Sequence, residues 1–230
     1  MNPTPRKSHL SELLVDADSG LSYRVRQPQP QQPTRCVILL HGVGGNESNL
    51  LDLVEGLDAN TLVLFVRGPL QLGPQQFAWF RVAFTAAGPS IVEEEAERSR
   101  AALIRFVQHQ QMQRGIAANQ TVIAGFSQGG ILSASVALTA PEAVAAFAVL
   151  SGRILPELKP HLASTAQLAG LKAFIGHGTH DSKLPLHWAE RADAWLYELG
   201  VEHALRLYPM DHGISAVMHQ DFVDWIAALA

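Results

Sequence analysis

Ser127 stands in Gly125-Phe126-Ser127-Gln128-Gly129, between an apolar run, Thr121-Val122-Ile123-Ala124, and a helix-forming run, Gly130-Ile131-Leu132-Ser133-Ala134. A Gly-x-Ser-x-Gly pentapeptide at a strand-to-helix junction is the pattern of a nucleophile elbow. The turn is too tight for Cβ atoms at positions 125 and 129, and the serine is held in a strained conformation that lifts its hydroxyl above the sheet edge. A helix N-cap is the plain alternative, and it accounts for neither glycine. A neutral hydroxyl is a poor nucleophile and needs a base beside it. His212, in Tyr208-Pro209-Met210-Asp211-His212-Gly213, is the candidate base. The imidazole needs a carboxylate to fix its tautomer and stabilise its transient charge. Asp181, in Gly176-His177-Gly178-Thr179-His180-Asp181, is the candidate acid. Asp211 is its rival, but adjacent side chains diverge, and Asp181 is favoured.

The elements that must position these groups alternate along the chain. Strands are expected at Cys36 to Leu40, Thr61 to Val66, Thr121 to Ala124, Ala145 to Leu150, Lys172 to Ile175 and His203 to Tyr208. Helices are expected at Asn49 to Gly56, Val92 to Gln111, Gly130 to Leu138, Leu186 to Leu199 and about Gly213 to Leu229. The acids Glu93, Glu94 and Glu95 open the longest of these and complement a helix dipole. Such alternation predicts an α/β fold: a mostly parallel central sheet with helices on both faces. Residues 1–20 read as an N-terminal extension and 21–230 as a single domain. Gln27 to Pro33, all proline and glutamine, reads as an extended connector. In parallel sheets, ligand sites form at the carboxyl ends of strands. Serine, acid and histidine each follow a strand, in the chain order of α/β hydrolases.

A tetrahedral oxyanion needs preorganised donors. The backbone N–H of Gln128, just after the serine, and that of Val43, in His41-Gly42-Val43-Gly44-Gly45, are the candidates, with His41 as loop support. The glycine loop is not a nucleotide site, because position 47 is Glu and no Gly-Lys-Ser/Thr follows. His177, His180 and Asp181 suggest metal ligands only superficially. No further cluster has metal spacing, so neither metal nor cofactor is expected.

The stretches Leu40-His41-Gly42-Val43-Gly44, Gly125-Phe126-Ser127-Gln128-Gly129-Gly130, Leu150-Ser151-Gly152, His177-Gly178-Thr179-His180-Asp181 and Tyr208-Pro209-Met210-Asp211-His212 jointly resemble the small carboxylesterase/phospholipase-type α/β hydrolases, which include acyl-protein thioesterases. The resemblance implies an α/β-hydrolase fold without a separate lid domain and a serine hydrolase acting on small acyl esters, with an acyl-thioester hydrolase or a lysophospholipase using the same triad as alternatives. The chain departs at Gly45, where acyl-protein thioesterases usually carry Asp. The resemblance also implies that the loop from Gly68 to Phe80, with Leu70, Trp79 and Phe80, lines an acyl pocket. Leu155 and Leu184 lie after other strands and could add apolar walls. Arg67, Arg153 and Lys183 also lie near strand ends and could meet an anionic head group, although scattered surface charge is their plainest reading. With no insertion long enough for a lid, short or medium acyl esters are favoured. The rival class is a binding protein that kept the scaffold without turnover.

Composition narrows the partners. The chain has 230 residues, 47% of them hydrophobic, and 17 Lys plus Arg against 21 Asp plus Glu, a net charge of −4. Without a basic stripe, nucleic acid is not an expected partner. No segment is long and apolar enough to span a bilayer and no leader-like apolar stretch opens the chain. The single cysteine, Cys36, excludes an internal disulfide, and a cytoplasmic location is expected. The last helix, with Phe222, Trp225, Ile226 and Leu229, could face a second copy in a homodimer, although core packing is its default.

Overall fold

The computed structural model describes residues 9–85 and 88–229. Strands β1 (His9–Leu10), β2 (Leu14–Val15), β3 (Ser22–Gln27), β4 (Arg35–Leu40) and β5 (Thr61–Val66) come first. Two hairpins follow, β6 (Leu70–Gly73) with β7 (Gln76–Ala78) and β8 (Val82–Thr85) with β9 (Gly88–Ile91). The remaining chain alternates: α1 (Glu93–Arg114), β10 (Thr121–Phe126), α2 (Gln128–Thr139), β11 (Ala146–Leu150), the short α3 (Thr165–Leu168), β12 (Lys172–Gly178), α4 (His187–Glu198), β13 (Glu202–Tyr208) and α5 (Ala216–Ala228).

The main sheet runs β1-β3-β5-β4-β10-β11-β12-β13, with β2 also on β3. Every pairing from β5 through β13 is parallel, and β3 meets β5, β1 and β2 antiparallel. Part of the segment read as an extension is therefore continuous with the sheet, since His9 pairs with Gln27 and Leu14 with Tyr23. The parallel strands read as unbroken apolar runs because both faces are covered. One face packs Ile38, Leu64, Ile123 and Ile175 against α1, α2 and α4. The other packs Val37, Phe65, Ala148 and Phe174 against α5 and the first loops. Cys36, in β4, is buried, and burial pushes its thiol up to about 12.

The apolar face of α5 is committed to this second layer. Phe222 and Ile226 are buried, and Trp225 lies 5.6 Å from the ring of Phe174. Asn49 to Gly56 is not an α-helix; a single 3₁₀ segment, Leu51–Val54, occupies its middle. Among the described residues no helix is long and apolar enough to cross a membrane.

Candidate active site

Gly125 and Gly129 are dictated by backbone contact. A Cβ on Gly125 would lie 2.2 Å from the carbonyl carbon of Gly129, and one on Gly129 would lie 2.0 Å from the Leu40 carbonyl oxygen. The turn between β10 and α2 closes onto β4 because neither residue has a side chain. Ser127, between them, has φ +53° and ψ −114°, a conformation an L-residue keeps only when its surroundings enforce it. Its N–H donates to Leu150 O at 2.8 Å, which anchors the strained residue to β11. Backbone cannot retreat from a new methyl group, so Gly129→Ala should destabilise the fold by roughly 3 kcal/mol or more. Chemical denaturation checks this; an unchanged midpoint would contradict the contact.

The structure brings together Ser127, His212 and Asp181 from three strand ends. Ser127 Oγ and His212 Nε2 are 3.0 Å apart, and His212 Nδ1 lies 2.7 Å from Asp181 Oδ2. The other carboxylate oxygen, Asp181 Oδ1, accepts the backbone N–H groups of Lys183 and Leu184 at 2.9 and 2.8 Å. Gly178 lets these loops meet, since a Cβ there would sit 2.4 Å from Met210 O. Asp211 turns away from the ring. Its carboxylate accepts the backbone N–H groups of Ser182 and His212, which hold it down at about 2. It ties the acid loop to the histidine loop.

Val43 and Gln128 line the same cavity as Ser127. Gly44 N–H donates to Phe77 O and Gly45 N–H to Gly42 O, whereas among the described residues the N–H groups of Val43 and Gln128 find no acceptor. Gln128 opens α2, where the helix leaves its first amides unpaired and its dipole favours negative charge. The loop around Val43 is fixed from behind. Trp79 Nε1 donates to His41 O at 2.9 Å, His41 Nε2 accepts Gly68 N–H at 2.9 Å, and His41 Nδ1 meets Gly42 O at 2.7 Å. Glu47, at the loop's far end, is buried beneath Arg67 and Arg24 at 2.6 to 2.8 Å. Burial pushes this carboxyl up, but the hydrogen bonds from Arg67 and Arg24 outweigh it and hold Glu47 at about 2. Arg67 is thus an internal partner of Glu47, not a free surface cation. The space where a residue-45 side chain would begin holds Asn49 Oδ1, 2.6 Å from that Cβ position. Because that oxygen also accepts Asn46 N–H, Gly45 is the residue this loop accommodates.

His41 and His177 are both held below the ordinary histidine range by burial. His177 Nε2 contacts Leu184 O at 2.7 Å, under the Asp181 turn. Both rings are neutral in the fold and accept protons once unfolded below about pH 6.5. The unfolded state then binds more protons, so stability is complete above that pH and falls as pH is lowered. Thermal midpoints should be flat from about pH 8 to 7 and decline below about 6.5. A constant midpoint down to about pH 5 would count against the buried neutral rings.

A cavity of ≈ 280 Å³ opens beside Ser127 and His212. Of the residues expected to wall it, Phe80 and Leu184 do so, and the strand-end cations Arg153 and Lys183 line it too, together with Val82, Ile91 and Ile131, which sequence reasoning did not place there. Leu70, Trp79 and Leu155 do not. Leu70 belongs to the β6–β7 hairpin, whose partner strand pairs onward with the Gly45 loop. Trp79 is wholly buried behind the oxyanion loop. Leu155 faces a neighbouring cavity that shares only Ile91 with this one. Gln128 has a second contact that the sequence did not suggest: its side chain accepts Trp79 N–H at 2.7 Å and donates to Phe80 O at 2.6 Å. That clamp holds the segment carrying Phe80 against the start of α2. Among the described residues, no group of three or more His, Cys, Asp or Glu side chains is arranged to hold a metal ion.

A parallel sheet in this order, with serine, acid and histidine on the loops after β10, β12 and β13, defines an α/β hydrolase. The profile of the phospholipase/carboxylesterase family matches residues 23–230. Acyl-protein thioesterase 1 of Kluyveromyces lactis is 27% identical over 219 residues, spanning 88% of this chain and 96% of the relative. Among solved structures, a carboxylesterase from Mesorhizobium loti superposes with a TM-score of 0.79 at 22% identity, covering 97% of this chain and 100% of that one. The Bacillus cereus carboxylesterase gives 0.78 at 23% identity over 91% of this chain and 95% of its own. The chain belongs to the phospholipase/carboxylesterase family, and it is a serine hydrolase.

Proposed function

We propose that this protein hydrolyses short-to-medium acyl esters through an acyl-enzyme on Ser127. The hydrogen-bonded series Ser127–His212–Asp181, 3.0 and 2.7 Å at its two links, is the observation that supports it. In this reading His212 Nε2 takes the Ser127 proton as Oγ attacks the ester carbonyl. Asp181 accepts from His212 Nδ1–H and stabilises the imidazolium as it forms. The unpaired N–H groups of Val43 and Gln128 receive the developing oxyanion. As the tetrahedral adduct collapses, His212 returns the proton to the leaving alcohol. A water molecule then repeats the sequence on the acyl-enzyme, with His212 again as the base.

The cavity's size and its apolar walls, Phe80, Val82, Ile91, Ile131 and Leu184, support an acyl group of a few carbons. Each methylene buried contributes about 0.8 kcal/mol. For p-nitrophenyl esters, kcat/KM should therefore rise about fourfold per carbon until the cavity is full and fall beyond it. A steady rise out to palmitate would reject the short-acyl reading. A thioester substrate is the second reading, favoured by the thioesterase relatives, and acyl-CoA in the same panel separates the two. The buried, lone Cys36 is compatible with a reducing compartment such as the cytoplasm.

A further inference from the structure

Arg153 follows β11 in the sequence Ser151-Gly152-Arg153, on a loop pressed against the nucleophile. A Cβ on Gly152 would lie 3.0 Å from Ser127 O, so the absence of a side chain there lets this loop pass close against the elbow. Arg153 is only 3% exposed, and it lines the same cavity as Ser127 and His212. Among the described residues none of its nitrogens donates a hydrogen bond, its Nε is fully enclosed without a partner, and no carboxylate lies within ion-pair distance. The other buried or half-buried arginines of the interior behave differently. Arg26 donates to the carbonyls of Asp58 and Thr61, and Arg24 and Arg67 share Glu47.

A guanidinium withdrawn from water without acceptors is costly for the fold. Its guanidinium carbon nevertheless lies 4.5 Å from the ring centroid of Trp188 on α4, a cation–π contact that holds it in place. Burial pulls the guanidinium down from its ordinary range, the distant Glu157 opposes this, and Arg191 reinforces it; an arginine remains charged throughout. Lys183, one of the residues whose N–H groups hold Asp181, also lines the cavity, and its exposed side chain carries a second positive charge at this rim. Among the described residues no acidic side chain lines this cavity. A fork of N–H donors on a rigid stack, facing a small reaction chamber, fits a planar two-oxygen acceptor.

We propose that Arg153, assisted by Lys183, forms a carboxylate subsite beside Ser127, so that the favoured substrates are esters carrying a carboxylate within a few bonds of the scissile carbonyl. This deepens the hydrolase reading and rests on it. The carboxylate can belong to the acyl part, as in a dicarboxylic acid hemiester, or to the alcohol part, as in an acylated hydroxy acid.

Two matched pairs separate these sources. Monoethyl glutarate is compared with its neutral isostere ethyl glutaramate, and O-butyrylglycolate with O-butyrylglycolamide, following product release by chromatography. In the wild type, kcat/KM for the anionic member of at least one pair should exceed that of its neutral partner about tenfold or more. The pair that responds identifies the side of the ester bond. In Arg153→Gln that ratio should fall at least about tenfold, chiefly through KM, and Arg153→Lys should give an intermediate value. Wild-type ratios near one for both pairs, with ethyl butyrate still hydrolysed, overturn the subsite and leave the hydrolase reading standing. A wild-type preference that survives unchanged in Arg153→Gln also overturns it. Should Arg153→Gln not fold, the wild-type ratios and Arg153→Lys decide the matter. Absence of all ester hydrolysis, with Ser127 unlabelled by a fluorophosphonate, removes the hydrolase reading and this one with it.

Discussion

Replacing Ser127 by alanine is expected to lower kcat on p-nitrophenyl butyrate about a millionfold, the loss seen when a serine protease is deprived of its nucleophile. Among the described residues, the Ser127 hydroxyl bonds only to His212, and the backbone strain at φ +53° is carried by either residue. The thermal midpoint should therefore scarcely move. Fluorophosphonate labelling should disappear in parallel with turnover. Retention of more than about a thousandth of wild-type activity in a purified, folded Ser127→Ala protein would show that the reaction runs through another group. Loss of labelling together with loss of the fold would say nothing of chemistry, so the midpoint is measured first. Labelling that is absent even from folded wild type would favour the non-catalytic alternative.

The two aspartates on the acid and histidine loops should separate sharply. Asp181→Asn is expected to reduce kcat about ten-thousandfold, because an amide at this position selects the wrong imidazole tautomer and cannot stabilise imidazolium. Asp211→Asn should cost no more than about tenfold, since its carboxylate meets backbone N–H groups of Ser182 and His212 and not the ring. Steady-state kinetics on one ester suffice. Equal losses in the two variants, or a larger loss at 211, would reassign the acid.

The chemistry was legible where it leaves a steric or spacing signature. Gly125 and Gly129 are visible because backbone atoms 2.0 to 2.2 Å from their Cβ positions leave no alternative residue. The main parallel strands were legible because burial on both faces writes continuous apolar runs, as in Thr61–Val66. The cavity walls were not. Val82 and Ile91 sit on strands of four residues in a hairpin, too short for a periodic pattern to emerge. β1 and β2, two residues each, are shorter still. Trp79 was expected at the pocket because the family resemblance implies that its loop lines one, yet its indole N–H is needed at His41 O. Arg153 read as surface charge because its burial depends on Trp188, a residue from a later helix, and no local pattern announces such a meeting. The Glu47 cluster likewise joins three separated segments.

One further property follows from Cys36 lying in β4 at the centre of the sheet. A single thiol, enclosed and raised to about 12, is silent toward alkylating reagents while the protein stays native. Its modification requires the sheet itself to open, an event near the global unfolding free energy. The rate at which iodoacetamide reaches this position therefore serves as a native-state clock for whole-domain opening, with no engineered reporter.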